Sequence, residues 1–179
     1  MRADALRNLE RIRVAASEVF DERGLDAPLE EIARRAGVSV GTIYHRFGSR
    51  EGLIDAVLAD IAAQKLDAAI ASVAGATPWE RFSSYVIALA ESQAADPTFN
   101  EVFARRFPEA DALQDVNRRA VEYGRQLMTA AQADSQLRSD LTSADLDRLI
   151  WLNAQSISLG GDWWRRGLQF LLDGLEASK

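Results

Sequence analysis

The sequence predicts an all-α protein of about nine helices, in which an N-terminal three-helix domain precedes a larger helical domain. Three observations carry this expectation. Apolar residues recur at helical spacing from the first segment onward, while no alternating run of β-branched residues competes with them. Starts and stops are well marked by hydroxyl, acid and glycine residues. The composition is rich in Ala, Leu, Arg, Glu and Asp, with only 4 prolines in 179 residues.

In the first segment Ile12, Ala16, Val19 and Phe20 line one face and Arg11, Arg13, Glu18, Asp21 and Glu22 fill the others, which predicts a helix over 5–23 stopped by Gly24. The next helix, over 29–36, begins near Pro28, whose fixed φ suits a first turn. It carries Glu30 and Glu31 at its positive end and stops at Gly37. Only Val38 and Ser39 precede a new start, because the Ser39 hydroxyl can accept the N–H of Thr42 and cap a short helix over 40–46. Two short helices joined by a glycine turn form the unit whose second helix enters the DNA major groove. Ile43 and Phe47 should anchor that helix, leaving Val40, Gly41, Tyr44 and His45 outward.

Ser49 caps a long helix over 49–74, with Leu53, Val57, Ile61, Leu66, Ile70 and Val73 as its stripe. Further helices are expected over 78–95, 99–106, 111–133, 143–160 and 164–177. Three of these open on Thr77-Pro78-Trp79-Glu80, Thr98-Phe99-Asn100-Glu101 and Thr142-Ser143-Ala144-Asp145, each with a hydroxyl three residues before an acid. The domain division is expected at 1–48 and 49–179.

The net charge of -6 conceals an uneven distribution: between Ala33 and Arg50 the chain carries Arg34, Arg35, His45, Arg46 and Arg50 and no acid. A polyanion should meet that stretch. With no cysteine and a single histidine, neither disulfides nor zinc or iron catalysis is expected, and no metal or cofactor. No apolar leader or spanning segment is evident, so a cytoplasmic protein without membrane association is expected. Neither a phosphate-cradling glycine loop nor a nucleophile pair suggests an enzyme. A helical protein–protein adaptor, or a DNA-binding regulator without an effector, stays open as an alternative.

The run Ile12 to Leu53 resembles the N-terminal domain of the TetR/AcrR family of transcriptional regulators. It carries Ala15-Ala16, Val19-Phe20, Gly24, the string Glu31 to Ser39, then Gly41-Thr42-Ile43-Tyr44, Phe47, Ser49, Glu51 and Leu53. Pro28 stands where Ser or Thr is usual, Arg46 where His or Tyr is common, and Arg50 where lysine is usual. The C-terminal part is similar to an actinobacterial subgroup through Trp79 to Phe82, Leu137 to Thr142 and Asp147 to Ala154. The resemblance implies a ligand-responsive regulator, by family habit a repressor, that leaves a palindromic double-stranded operator when a small-molecule effector binds.

It assigns phosphate contacts to Thr42, Tyr44 and Arg50, base reading falls to the face where Val40 and Gly41 allow close approach and His45 and Arg46 offer hydrogen bonds, and the capping Ser39 is counted with these DNA-binding residues. A palindrome requires a homodimer. The last two helices are expected to supply its interface through Leu146, Ile150, Ile157, Trp164, Leu168, Leu171, Leu172 and Leu175, since their apolar surface exceeds one buried stripe. Phe82, Tyr85, Phe99, Phe103, Tyr123 and Trp151, with Asn153 and Gln155 as polar groups, are candidates for an unidentified effector's pocket.

Overall fold

A computed structural model describes residues 2–105 and 107–177, with side chains from residue 7 onward. Among the described residues are nine helices: α1 (Arg2–Arg23), α2 (Leu29–Ala36), α3 (Val40–Phe47), α4 (Arg50–Ala71), α5 (Pro78–Ala95), α6 (Pro97–Ala104), α7 (Asp111–Ala133), α8 (Ser143–Ser158) and α9 (Trp163–Leu175). No strand occurs among them beyond one isolated bridge between Leu137 and Glu176. The fold is all-α.

Backbone contacts divide the chain into two compact units, 1–62 with 107–114, and 63–106 with 115–179. The expected division at residue 48 thus differs from the compact-unit boundary, which falls inside α4. Leu53, Ile54, Val57 and Leu58 are buried on the first turns of α4, so that stretch is core to the first unit.

In the first unit the predicted stripe of α1 is buried at Ile12, Ala16, Val19 and Phe20, and α2 contributes Leu29, Ile32 and Ala36. Gly37 ends α2 in the left-handed region at φ 67, a conformation that a Cβ penalises, and the following Val38 N–H reaches back to the Ala33 carbonyl at 2.9 Å. Pro28 lies just outside α2, with extended backbone and no side-chain cap, rather than in its first turn. Arg35 fastens α2 to α1 by a forked pair of bonds to Glu22, at 2.7 and 2.8 Å. The same carboxylate raises the Arg35 guanidinium further above its ordinary range, chiefly by that hydrogen bonding.

The first unit also captures the start of α7. The Asp55 carboxylate accepts from the N–H groups of Leu113 at 2.9 Å and Ala112 at 3.3 Å, and Glu51, one turn earlier on α4, accepts from Glu109 N–H at 2.8 Å. Ala112 and Leu113 supply orphan donors of the α7 N-terminus and Glu109 stands just before it, and two carboxylates satisfy all three across 57 or 58 positions of sequence.

In the second unit two of the three predicted capping boxes, Thr77 with Glu80 and Thr142 with Asp145, are complete. The start of α6 departs from expectation. Asp96, not Thr98, caps it by accepting from Phe99 N–H at 3.0 Å, and Pro97 fills the first helical position. At its other end α4 stops at Ala71 rather than 74, where Ser72 bonds the Ala69 carbonyl and Ser84 of α5 takes the Ala74 N–H.

Candidate nucleic-acid interface

The short helix α3 is set by its cap and a single deep anchor. Ser39 holds an extended backbone and accepts from Thr42 N–H at 3.2 Å, and its hydroxyl also shares a 2.9 Å hydrogen bond with the Thr42 hydroxyl. Ile43 is fully buried and Phe47 half-buried, as the i, i+4 pairing predicts. Tyr44 is 50% exposed, and His45 and Arg46 are exposed beside it. No acid sits in the first turn to oppose a phosphate.

Gly41 is informative because the fold does not require it. A Cβ there would meet nothing nearer than the Ser39 hydroxyl at 3.7 Å, yet a helical glycine costs about 0.5–1 kcal/mol relative to alanine. Val40 is half-buried, so it offers less contact surface than a fully outward position would.

Arg50 behaves differently from the other arginines of the basic stretch. Its Nη1 donates to the carbonyls of Leu25 and Ala27 at 2.9 and 2.8 Å, closing the loop between α1 and α2. Sequence reasoning missed this role, since nothing in local spacing links residues 25 positions apart. It also missed Arg11, whose exposed guanidinium lies over the turn at Gly37, 2.5 Å from where a Cβ would stand. A third omission is Gly52: an added Cβ would lie 2.1 Å from the Phe47 carbonyl oxygen, so only glycine lets the end of α3 approach the start of α4 this closely.

The candidate effector residues separate into two groups. Phe82, Tyr85 and Asn153 line a cavity between α5, α8 and α9. Phe99 and Phe103 instead pack edge to face on each other at 5.2 Å, and Tyr123 packs on the Tyr85 ring at 5.0 Å. Trp151 and Gln155 spend their donors on the Ala104 carbonyl, at 3.1 and 2.6 Å, and so cap the end of α6. The cavity has other walls that the sequence reading assigned elsewhere or left out, notably Val86, Leu89 and Gln93 of α5. The row Phe82, Val86, Leu89, Gln93 at i, i+4, i+7 and i+11 was the available signal, a polar residue ending an apolar stripe.

Of the residues expected at the dimer interface, Leu146, Ile150, Trp164, Leu168 and Leu172 are buried within the chain, Ile157 and Leu175 are half-buried, and Leu171 is exposed. Leu146, Ile150, Leu168, Leu171, Leu172 and Leu175 line that cavity within their own chain. Trp164 is buried with Ala90, and Ile157 packs against the same cluster. The apolar side chains left outward on and just after α8 and on α9 are Trp151, Leu152, Leu159, Trp163, Phe170 and Leu171, with Leu159 88% and Trp163 66% exposed.

A capped, basic, solvent-facing helix behind a glycine turn defines a helix-turn-helix regulator of transcription. The family described as "Bacterial regulatory proteins, tetR family" matches residues 12–57. Over 166 residues, 92% of this chain and 80% of the relative, the chain is 30% identical to the HTH-type transcriptional regulator BetI of Rhizobium meliloti (strain 1021). Among solved structures it is similar to a TetR transcriptional regulator of Streptomyces coelicolor, with 31% identity, a TM-score of 0.52 and coverage of 96% and 99% of the two chains. The ketosteroid transcriptional regulator KstR2 of Mycobacterium tuberculosis is 25% identical with a TM-score of 0.59, covering 96% of each chain. The chain therefore belongs to the TetR family of bacterial regulatory proteins. It is a DNA-binding transcriptional regulator, and its relatives are regulators rather than enzymes. No helix among the described residues is long and apolar enough to cross a membrane.

Proposed function

We propose that this chain is a cytoplasmic, homodimeric repressor that holds a palindromic operator through α3 and releases it when a small apolar effector enters the cavity between α5, α8 and α9. The outward face of α3 carries the reading: a tyrosine, a histidine and an arginine exposed beside a glycine that folding does not demand. In this reading Thr42 and Tyr44 meet phosphates, while His45 and Arg46 reach base edges past Gly41. Ser39 sets the helix in place, Val40 flanks the contact, and Arg50 acts through the loop that it pins. The N-terminal head thus reads DNA and the C-terminal helices bind effector and pair subunits.

Pairing is supported by the apolar side chains that α8 and α9 leave in water, which a second copy would cover. The effector reading is supported by an apolar cavity with two amide side chains in its wall. It is also supported by the relative KstR2, whose name states that it is a ketosteroid regulator.

Fluorescence anisotropy with duplex DNA from upstream of the chain's own gene tests the proposal. The protein should bind a two-fold symmetric site, and Tyr44→Ala should weaken that binding by about 1–3 kcal/mol per site. Affinity unchanged by Tyr44→Ala, or binding without preference for any symmetric site, contradicts it.

A further inference from the structure

We infer that the effector cavity selects an uncharged, largely apolar molecule carrying a hydrogen-bond acceptor, such as a ketone or alcohol oxygen, which the Gln93 carboxamide holds. This rests on the reading of that cavity as the effector site.

Gln93 is 1% exposed, lines the cavity, and has a buried Nε2 that finds no acceptor among the described residues. A buried donor left unpaired is costly, and such groups in native proteins serve a purpose. The second amide in the wall, Asn153, is 7% exposed. Every other lining side chain is apolar except Tyr85, and its hydroxyl already donates to the Ala120 carbonyl at 2.7 Å.

The charge of the ligand follows from what the wall lacks. No carboxylate lines the cavity to receive a cation, and no lysine, arginine or histidine lines it to receive an anion. An ion there would lose its hydration and gain no counter-charge. A neutral oxygen acceptor loses little and pairs the orphan donor.

The cavity is narrow and partly open to solvent. Its free space totals about 470 Å³ with the open mouth included, but only about 20 Å³ can hold the centre of a water molecule. One water fits, yet a buried water ordinarily makes about three hydrogen bonds and this wall offers it two amides. Such a water is easily displaced. A larger ligand must part the leucines of α8 and α9, including Leu168 and Leu172, and so acts on the pair of helices proposed to join subunits.

Five chain-matched probes test the inference on the full chain: 2-hexanone, 1-hexanol, n-hexane, hexanoate and hexyltrimethylammonium, each titrated by calorimetry and by thermal shift. The ketone and alcohol should bind at least about tenfold more tightly than either ion. Gln93→Leu, and the nearly isosteric Gln93→Met in case the leucine variant folds poorly, should weaken 2-hexanone by about three- to tenfold and leave n-hexane as tight or tighter. Either ion matching the ketone, or ketone affinity indifferent to both variants, overturns the inference while leaving the effector site standing. If none of the five binds a protein that still holds its upstream DNA, the effector-site reading falls and takes the inference with it.

Discussion

Replacing Arg50 by alanine separates two roles that a cation at the start of α4 could play. In the structure its Nη1 donates to two loop carbonyls, Leu25 at 2.9 Å and Ala27 at 2.8 Å. Hydrogen bonds to a charged group contribute about 1.5–3 kcal/mol each when buried. Arg50 is only half-buried, so solvent competes for both, and the pair together should contribute about 1–3 kcal/mol. Urea unfolding followed by circular dichroism should therefore show Arg50→Ala losing that amount with an unchanged m-value. Arg50→Lys should recover only part of it, because an ammonium can donate to both carbonyls but sits one bond nearer the backbone on a more flexible stem. Operator affinity measured against salt concentration supplies the other arm, since each lost phosphate contact lowers the slope of log K against log salt by about 0.9. An alanine variant as stable as the parent, with its salt slope reduced by that amount, would falsify the clamp and return Arg50 to the phosphate role that family resemblance implies.

Three further outcomes are expected. Gly52→Ala should push the end of α3 away from α4, since its Cβ would overlap the Phe47 carbonyl, and should cost operator affinity even though residue 52 itself touches no DNA in the proposed complex. A variant binding the operator like the parent refutes the close-approach argument. Phe170→Asp, at a side chain 57% exposed on α9, should move the sedimentation profile toward monomer while leaving helix content intact. An unaltered dimer places the interface elsewhere. Tyr85 should give the protein an alkaline limit: burial first, and then the neighbouring Tyr123, pushes its phenol above the ordinary range. A raised folded-state value means that this stability is fully present below about pH 10, the usual tyrosine value, and is lost as pH climbs beyond it. The alkaline loss should be visibly smaller in Tyr85→Phe, and equal losses in both proteins would rule Tyr85 out as the cause.

Features governed by neighbours in sequence were legible and those governed by distant ones were not. Gly37, Ser39 and the Thr77 and Thr142 boxes act within a few residues, and all stand where spacing put them. At the start of α6, Asp96 and Thr98 were both able to cap, and Pro97 between them decides for Asp96 because it must occupy the first turn. The end of α4 depends on a serine of α5, and the Arg50 bonds depend on a loop on the far side of α2. The leucines of α9 were recognisable as more than one stripe, but not which stripe turns inward. Leu168 and Leu172 face the cavity while Phe170 stays in water, a choice made by the packing of α5 and α8.

The capture of the α7 N-terminus by Glu51 and Asp55 bears on how the reading head comes into being. Its compact unit includes 107–114, with Ala110 and Leu113 buried, so it is not complete when a ribosome has finished α4. More than forty residues must still be made before Asp55 can meet the N–H groups of Ala112 and Leu113. A fragment cut after Ala62 would carry α3 intact yet lack part of its own interior, and fusing such a fragment to another protein would transplant the reading helix without the brace beneath it.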